Sequence, residues 1–203
     1  MTVATIARLK ITLDDVKPAV QRRVEVPLNI RLDRLHLVLQ AAMGWTNSHL
    51  YEIRAGGVGW GMANPDWSDG PMDASKSRLI DVLEDMGVKT LKYLYDFGDG
   101  WEHTVKIERI ADALPGVSYP WLIDAKGKCP PEDVGGPPGY EDLLNILASP
   151  THERYAEMSQ WLGAAFDPRD NGTQNLADAV DALARKWSHK PKVVPKIKPE
   201  IAS

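Results

Sequence analysis

The side chains of this sequence that are best suited to chemistry are histidines, one cysteine and acids, and they come from separate stretches of the chain. The candidate metal ligands are His36, His49, His103 and Cys129. The acids that could join them are Asp96, Asp99, Glu132 and Asp133. Three nitrogen or sulfur ligands with one carboxylate can hold zinc tetrahedrally, and an open fourth position makes such a site catalytic. A divalent metal is therefore one interpretation, although the sequence has no HExxH, no CxxC and no pair of ligands on one helical turn.

Covalent catalysis is a second interpretation of the same residues. Cys129 could act as a nucleophile if His103 took up its proton. The acids Glu132 and Asp133 argue against this role, because negative charges nearby raise the pKa of a thiol. The sequence also has no GxSxG motif, no phosphate-binding glycine motif and only three letters of a kinase motif, at 96–98. No complete catalytic constellation is therefore visible.

The element that would position several of these residues is a predicted β-hairpin over residues 93–108, which read YLYDFGDGWEHTVKIE. Aromatic or apolar residues alternate with polar ones in both arms, as is typical of strands that bury one face. A three-residue loop over 98–100, with Gly100 in the left-handed conformation, keeps all the aromatic residues on one face. A two-residue turn is disfavoured because it would place the tyrosines and the tryptophan on opposite faces. The preferred register puts His103 in an apolar row, facing Tyr95.

A second informative stretch covers residues 129–140, which read CPPEDVGGPPGY. Its four prolines fix the backbone and its three glycines free it, which predicts an irregular loop. Such a loop can hold Cys129, Glu132 and Asp133 at fixed angles against a neighbouring sheet. The alternative is architectural: the two acids would then only accept backbone hydrogen bonds and cap the turn.

The preferred interpretation is a non-catalytic binding or accessory module. The aromatic face of the hairpin and the loop at 129–140 would form a groove for a protein, a peptide or a small ligand, and no cofactor is required. The candidate ligand-binding residues are Tyr95, Asp96, Asp99, Trp101, His103, Cys129, Glu132, Asp133 and Tyr140. A metal-assisted hydrolase or nuclease-like enzyme that uses His103 and the acids is the alternative. Core roles for Tyr95, Trp101 and His103 would explain the same pattern without a ligand.

The rest of the chain predicts an α+β domain with a mixed, mainly antiparallel sheet around the hairpin. Strands are predicted at 4–13, 22–28 and 50–54, and the first two should pair with each other. Helices are predicted at 32–43, 77–86, 140–147 and 150–162, with stops at Gly44, Gly87 and Gly163 and a cap at Ser149. A further helix carries an apolar stripe formed by Leu176, Val180, Leu183 and Trp187. The N-terminal helix, beside whose stripe His36 lies, and the C-terminal helices should cover the sheet.

Composition and charge limit the class of protein. The chain has 203 residues, of which 43% are hydrophobic, but no apolar run long enough to cross a bilayer and no signal peptide. The single cysteine fits a reducing compartment, so we expect a cytoplasmic domain over 1–189, helical from 140.

The net charge is −4, so we do not expect this domain to bind nucleic acid. Only a basic tail over 190–203, which we expect to be disordered, could contact DNA.

Four motifs together resemble one protein family. They are the hairpin segment at 93–108, LHLVLQAAMGW at 35–45, the following His49-Leu50 pair, and CPPEDVGGPPGY at 129–140. In this order and spacing they resemble the plasmid pRiA4b ORF-three-like family, which includes the TnpR-like passenger proteins of insertion elements. The resemblance covers about residues 6–187. It implies an α+β fold, whereas the association with plasmids and transposons describes a genetic location and not a mechanism.

Overall fold

The computed structural model describes residues 4–63, 70–163 and 166–188. The strands are β1 Thr5–Leu13, β2 Gln21–Pro27, β3 Tyr51–Ala55, β4 Val58–Gly61, β5 Met72–Asp73, β6 Thr90–Tyr95, β7 Trp101–Asp112 and β8 Trp121–Lys126. The helices are α1 Leu32–Met43, α2 Leu79–Met86, α3 Gly136–Leu147, α4 Tyr155–Leu162 and α5 Thr173–Ser188, with a 3-10 turn at Ala74–Lys76.

One eight-stranded sheet organises these elements. Its strand order is β5-β4-β3-β6-β7-β1-β2-β8, and every neighbouring pair is antiparallel except the short β4–β5 pair. The predicted hairpin, β6 and β7, lies at the centre of the sheet. Helix α1 contacts β2 and α5, and α5 contacts β8. The predicted fold class is therefore confirmed: a mixed, mainly antiparallel sheet with a central hairpin, covered by an N-terminal helix and a C-terminal helical segment.

The N-terminal hairpin forms as its alternating pattern predicts. β1 and β2 pair in antiparallel register, from Ile6 opposite Pro27 to Thr12 opposite Gln21. Leu9 on β1 is fully buried, as are the residues two before and two after it, so one face of the strand is continuous with the core. β1 also pairs with β7 along its whole length, which joins this hairpin to the central one.

The three helices that end in glycine, α1, α2 and α4, stop where the sequence predicts, at Gly44, Gly87 and Gly163. Leu35 and Val38 of α1 are fully buried, in agreement with the helical spacing of its apolar residues. Gly44 takes a φ of +87°, and its N–H bonds the Gln40 carbonyl oxygen. Gly87 ends α2 in the same way, with a φ of +63°. A left-handed residue after the last turn favours glycine, because a Cβ atom there is strained.

The segment at 129–140 is not irregular throughout, so the prediction was wrong for its second half. Helix α3 begins at Gly136, and Pro137 and Pro138 lie in its first turn. The first N–H groups of a helix have no acceptor within the helix, so proline at these positions removes no hydrogen bond. The irregular part is therefore limited to the residues that precede Gly136.

The predicted start of α4 was also wrong, because the helix begins at Tyr155 and not at residue 150. Single turns replace the first helical turn: His152 N–H donates to the Ser149 carbonyl at 2.9 Å, and Tyr155 N–H donates to the His152 carbonyl at 3.0 Å. The Ser149 side chain instead lies 3.3 Å from the Thr151 hydroxyl. A Ser-Pro pair is thus compatible with a turn as well as with a helix start.

Helix α5 buries the stripe that its sequence predicts. Leu176 and Val180 are buried, and Leu183 and Trp187 are partly buried against the same core. Ala184, which is fully buried, completes the contact face. Its small side chain lets the helix pack closely on its neighbours.

The strand register defines two ends of the sheet. Tyr95 pairs with Trp101, and Leu13 pairs two residues further along β7, so these residues lie at one end. Thr5 pairs with Asp112 at the opposite end. We call them the Tyr95 end and the Thr5 end. Helix α1 follows β2 at the Thr5 end and leads into the loop before β3 at the Tyr95 end.

Within the described part of the chain, no helix combines the length and the apolar character that a bilayer crossing needs. The predicted tail over 190–203 lies outside the described residues. The division of the chain into a domain over 1–189 and this tail stays a prediction.

Candidate functional site

Three loops meet at the Tyr95 end of the sheet. They are residues 44–50 between α1 and β3, residues 96–100 between β6 and β7, and residues 127–135 between β8 and α3. Trp45 of the first loop donates its indole N–H to the carbonyl oxygen of Pro130 in the third loop at 3.0 Å. Candidate residues from separate parts of the sequence are thereby brought to one place.

The central hairpin has a longer loop than predicted. Tyr95 pairs with Trp101, and Tyr93 pairs with His103, so residues 96–100 form a five-residue loop. The predicted three-residue loop, with Tyr95 opposite His103, was wrong. The shift is two residues, so the alternation is unchanged and the aromatic residues still share one face.

The cause of the longer loop is the conformation of Asp96, whose φ is +56°. Its Oδ1 accepts the Gly98 N–H at 3.0 Å, and its carbonyl oxygen accepts the Gly100 N–H at 2.7 Å. An aspartate side chain that bonds the backbone two residues on stabilises a turn and tolerates the left-handed conformation. Phe97 is therefore turned out of the strand row, and half of its surface is exposed.

The aromatic face of the hairpin is part of the core and does not line a groove. Tyr95, Trp101 and His103 are fully buried, and Tyr140 on α3 is buried as well. The Trp45 ring stacks on Tyr95 at 5.0 Å between centroids and meets His103 edge-on at 5.3 Å. These rings position the loops above them, which is the core role that the sequence also allowed.

His103 and Cys129 are not suited to the acid–base and nucleophilic roles considered for them. His103 Nδ1 lies 3.1 Å from the Tyr93 carbonyl and 3.0 Å from the Trp101 carbonyl, so this nitrogen carries the proton. Burial lowers the pKa of His103 to about 4, which keeps the ring neutral. Burial raises the pKa of the Cys129 thiol far above its usual value, although the Arg22 guanidinium opposes the shift. A Cys129 nucleophile activated by His103 is therefore not supported.

A closed cycle of hydrogen bonds holds the first loop. The Asn47 N–H donates to Gln40 Oε1 at 3.0 Å, and Gln40 Nε2 donates to the Tyr93 hydroxyl at 2.8 Å. The Tyr93 hydroxyl donates to His36 Nδ1 at 2.9 Å, and His36 Nε2 donates to Asn47 Oδ1 at 2.5 Å. The tautomer of His36 follows from its partners, because Asn47 Oδ1 can only accept.

The cycle has two consequences for the loop. Burial lowers the pKa of His36 to about 4, so the ring is neutral at pH 7, as the cycle requires. Asn47 is held with a φ of +60°, two residues before His49. His36, a candidate metal ligand in the sequence, is thus a buried residue that positions the His49 loop.

Glu132 of the third loop joins the first loop to the end of β6 through its carboxylate. Oε2 accepts the Thr46 N–H at 3.0 Å and also the Thr46 hydroxyl, while Oε1 accepts the Ser48 hydroxyl at 3.1 Å. The Tyr95 hydroxyl donates to Oε1 at 2.5 Å and accepts the Ser48 N–H at 3.0 Å. Although partial burial opposes it, these donors hold the pKa of Glu132 below its usual value. The carboxylate is therefore ionised and fully engaged at neutral pH.

Asp99 ties the hairpin loop to the start of α3. Its Oδ2 accepts the Gly135 N–H at 3.2 Å. Gly136, with a φ of +68°, approaches so closely that a Cβ atom there would lie 2.2 Å from the Asp99 carbonyl oxygen. A glycine is required at this contact, because a larger residue would separate the two loops.

His49, Asp96 and Asp133 form a compact group above this framework. One ligand atom from each residue lies within 4.8 Å of the others. His49 Nε2 lies 3.0 Å from Asp133 Oδ1 and 3.6 Å from Asp96 Oδ2. Asp96 is fixed because its other oxygen is bonded within the hairpin loop. Asp133, whose side chain is 71% exposed, opens the group to solvent.

The direction of these contacts is informative. His49 Nε2 is buried and has no hydrogen-bond partner among the described residues, even though two carboxylate oxygens are near. The oxygens therefore lie to the side of the direction in which the ring nitrogen donates. Around a metal held at about 2.1 Å, ligand atoms are separated by roughly 3.0–3.4 Å and lie off the nitrogen–metal axis. The 3.0 Å separation from Asp133 falls in this range and the 3.6 Å separation from Asp96 is slightly longer, so the arrangement is compatible with a shared cation.

Backbone strain is concentrated at the same place. Asn47, Asp96 and Asp133 have φ values of +60°, +56° and +61°, and each lies in one of the three loops. Non-glycine residues seldom adopt this conformation, and it persists where the surrounding structure enforces it. Two of the three residues belong to the compact group itself.

Comparison with known proteins identifies the family. Residues 5–174 match the family model described as plasmid pRiA4b ORF-3-like protein. The chain belongs to this family. It is 55% identical over 189 residues to the uncharacterized protein y4hQ of Sinorhizobium fredii (strain NBRC 101917 / NGR234), across 93% of this chain and 97% of that protein. It also resembles the crystal structure of the protein of unknown function MM3350 from Methanosarcina mazei Go1. The TM-score is 0.75 and the identity 34%, over 84% of this chain and 98% of that chain.

The predicted metal ligands of this pRiA4b ORF-3-like protein do not all converge. Of His36, His49, His103 and Cys129, only His49 belongs to a group of three potential ligands among the described residues. His36 and His103 both lie beneath the loops: the two ring nitrogens of His36 are bonded to protein atoms, whereas His103 is bonded through Nδ1 and its Nε2 has no partner among the described residues. Cys129 is half-buried on the third loop and faces a cavity shared with Arg22. The residues that lie close enough together to hold a metal are instead one histidine and two aspartates.

Several positioning residues of the pRiA4b ORF-3-like site were missed in the sequence. Gln40 lies inside a helix pattern, and its buried side chain gives no signal of its own. Thr46, Asn47 and Ser48 follow the helix stop at Gly44, and a run of three small polar residues is a recognised turn signal. That signal would have placed a turn at the site, but not its partner Glu132.

Proposed function

We propose that this protein is a binding module that holds its ligand through a divalent cation at His49, Asp96 and Asp133. The observation that carries the proposal is the buried, unpartnered His49 Nε2 beside two carboxylate oxygens. A role in an insertion element is not needed for this proposal and stays a prediction.

The ligand types favour particular ions. One imidazole nitrogen and two carboxylates suit zinc and manganese, whereas magnesium prefers sites made of oxygen alone and retains its waters. Nitrogen–oxygen sites bind zinc more tightly than manganese by the usual order of divalent ions. We therefore expect affinity to decrease from Zn²⁺ to Mn²⁺ to Mg²⁺.

The framework around the group supports binding more than hydrolysis. A hydrolase needs a positioned base within hydrogen-bond reach of its water or substrate. Glu132 is the nearest further carboxylate in the network, but it accepts from four protein groups and is not free to take a proton. His103, the base first considered, is fully buried. The hydrolase alternative therefore has less support than the module.

The open side of the group indicates how a ligand would approach. Three protein ligands leave coordination positions free, and the exposed Asp133 places them at the surface. Phe97 on the neighbouring loop exposes half of its surface and offers an apolar contact beside the cation. A ligand with an oxygen donor next to an apolar group would match both features.

Titration of the metal-free protein with Zn²⁺, Mn²⁺ and Mg²⁺ by calorimetry tests the proposal. Asp133→Asn and His49→Ala should each weaken zinc binding at least tenfold, which is about 1.4 kcal/mol. His152→Ala, which removes an exposed histidine outside the group, is the matched control and should leave the affinity unchanged. Absence of stoichiometric zinc binding to the wild type, or equal affinity in His49→Ala, would refute the proposal.

A further inference from the structure

A second cavity, of about 420 Å³, lies at the Thr5 end of the sheet, where Pro27 forms part of its wall. Its side walls carry three arginines and two aromatic residues. These residues, which we call the arginine pocket, are Arg31, Arg34, Arg78, Tyr119 and Trp187. No part of the His49 group contributes to it.

Two of the arginines lack the partners that other arginines in the protein have. Arg8 pairs with Glu25 at 2.8 Å, for example. In the pocket, Arg31 pairs with Asp33 at 2.6 Å. Arg34 and Arg78 have no carboxylate partner among the described residues. Like charges held together repel one another, so the pocket has a local excess of positive charge that an anion would offset.

Two helix starts add to this positive potential. Helices α1 and α2 begin directly after Arg31 and Arg78, and neither start has a side-chain cap. The backbones of these two arginines form an isolated β-bridge, so the two helix starts are adjacent. The start of a helix carries partial positive charge, which favours anions. Asp33 and Asp81 in the first turns offset only part of it.

The aromatic residues give the pocket flat walls. The Arg34 guanidinium lies over the Trp187 ring, 5.0 Å from its centroid, which leaves the N–H edge of the guanidinium free to bond a ligand. The Tyr119 hydroxyl accepts the Leu114 N–H at 3.1 Å, which fixes that ring. Guanidinium planes and aromatic rings are the surfaces on which nucleic-acid bases stack.

We infer that the arginine pocket binds the phosphate group of a nucleotide, either free or as one unit of a single-stranded nucleic acid. Planar guanidinium groups bond phosphate oxygens in pairs, and an adjacent aromatic wall accommodates the base. The cavity falls within the roughly 300–1,000 Å³ of small-ligand sites. The inference is independent of the cation site and differs from the expectation that this domain would not bind nucleic acid.

Fluorescence anisotropy on the full-length protein, at low salt, tests the inference. The probe is a labelled single-stranded oligonucleotide. AMP and inorganic phosphate are added as unlabelled competitors for its binding. Arg34→Gln with Arg78→Gln should weaken oligonucleotide binding at least tenfold. Arg169→Gln is the control for loss of charge alone. Arg169 is exposed and has no carboxylate partner among the described residues, but it lies outside the pocket. This substitution should change the affinity less than twofold.

The outcomes separate the alternatives. If AMP displaces the oligonucleotide at a lower concentration than phosphate does, the pocket is a nucleotide site. The ratio of the affinities for AMP and for the oligonucleotide then shows whether the pocket prefers a free nucleotide or a nucleic acid. Equal competition by AMP and phosphate overturns the role of the aromatic walls. Equal losses in the double variant and in Arg169→Gln overturn the pocket, since binding would then follow bulk charge or the lysine-rich tail. No saturable binding of any probe to the wild type overturns the inference as a whole.

Discussion

The two ends of the sheet show two ways to place charged groups on one fold. At the Tyr95 end, Glu132 and Asp99 accept hydrogen bonds from neighbouring loops and Asp96 accepts one within its own loop, so these acids are held in place. At the Thr5 end, Arg34 and Arg78 extend into a cavity without carboxylate partners among the described residues. Fixed short side chains suit a metal ion, which tolerates little error in ligand position. Long arginines suit phosphate, which several geometries can bind.

Helix α1 connects the two ends and relates their chemistry. Its first turn follows Arg31 in the wall of the arginine pocket, and its last residue leads into the loop of His49. Helix α1 therefore spans the distance between the two sites. The comparison predicts that the stability of the Tyr95 end depends on close backbone contacts, whereas the stability of the Thr5 end does not.

The largest expected effect comes from a glycine at each end. Gly136→Ala would bring a Cβ atom within 2.2 Å of the Asp99 carbonyl at a φ of +68°. We expect it to lower the free energy of unfolding by about 2 kcal/mol or more and to weaken zinc binding. Gly116→Ala, at a φ of +79° but with nothing within 4 Å, should cost only about 1 kcal/mol. Urea unfolding measures the loss of stability in each variant. Equal losses would show that the contact between Gly136 and Asp99 does not contribute to stability.

A smaller effect, specific to the Tyr95 end, depends on pH. The pKa of His36 is lowered to about 4 in the folded state, so between pH 6.5 and 4 the unfolded chain takes up a proton that the folded chain does not. The contribution of His36 to the free energy of unfolding is complete above about pH 6.5, decreases progressively as the pH falls from 6.5 to about 4, and changes no further below that. Between pH 7 and pH 5 the loss should be about 2 kcal/mol, and His103 should contribute a similar amount.

Urea unfolding of His36→Gln at both pH values isolates the His36 contribution. The variant should be less stable at pH 7, because the hydrogen-bond cycle is altered, but should lose less stability on acidification than the wild type. His152→Gln, at an exposed site, should keep the wild-type pH dependence. An unchanged dependence in His36→Gln would mean that this imidazole is not held neutral.

The smallest effect is expected at the Thr5 end. Arg34→Gln combined with Arg78→Gln should change the free energy of unfolding by less than about 1 kcal/mol, because Arg78 is exposed and the partly buried Arg34 would lose only its contact with the Trp187 ring. Zinc affinity should also be unchanged, since distant sites contribute independently. Thermal unfolding with and without zinc measures both quantities. A large loss of stability would mean that these arginines serve the fold and not a ligand.

The sequence predicted the elements more accurately than the contacts between them. Helix α1 and its stop at Gly44 were correct, because the apolar spacing and the glycine are local signals. The prediction that the aromatic residues of the hairpin share one face was correct, because a shift of two residues preserves the alternation. The predicted register of the two strands was wrong. The side-chain bond of Asp96 that lengthens the loop has no signature in the alternation.

The site was predicted by residue type but not by arrangement. Asp96 and Asp133 were chosen as ligand-binding residues and His49 as a metal ligand, and the structure groups them. Nothing in their sequence spacing shows that three loops meet, because that depends on the sheet order. His103 looked equally suitable, yet the inward face of the strand buries it.

The cycle through Asn47, Gln40, Tyr93 and His36 has a single sense of rotation, because Asn47 Oδ1 and Gln40 Oε1 can only accept. Each donor is bonded to the next residue of the cycle, so the direction of one hydrogen bond cannot be reversed without changing the others. A mutation at one position therefore changes the requirement at the other three. In evolutionary terms these four residues should be inherited as a unit, and a homologue that replaces one is expected to have replaced its partners as well.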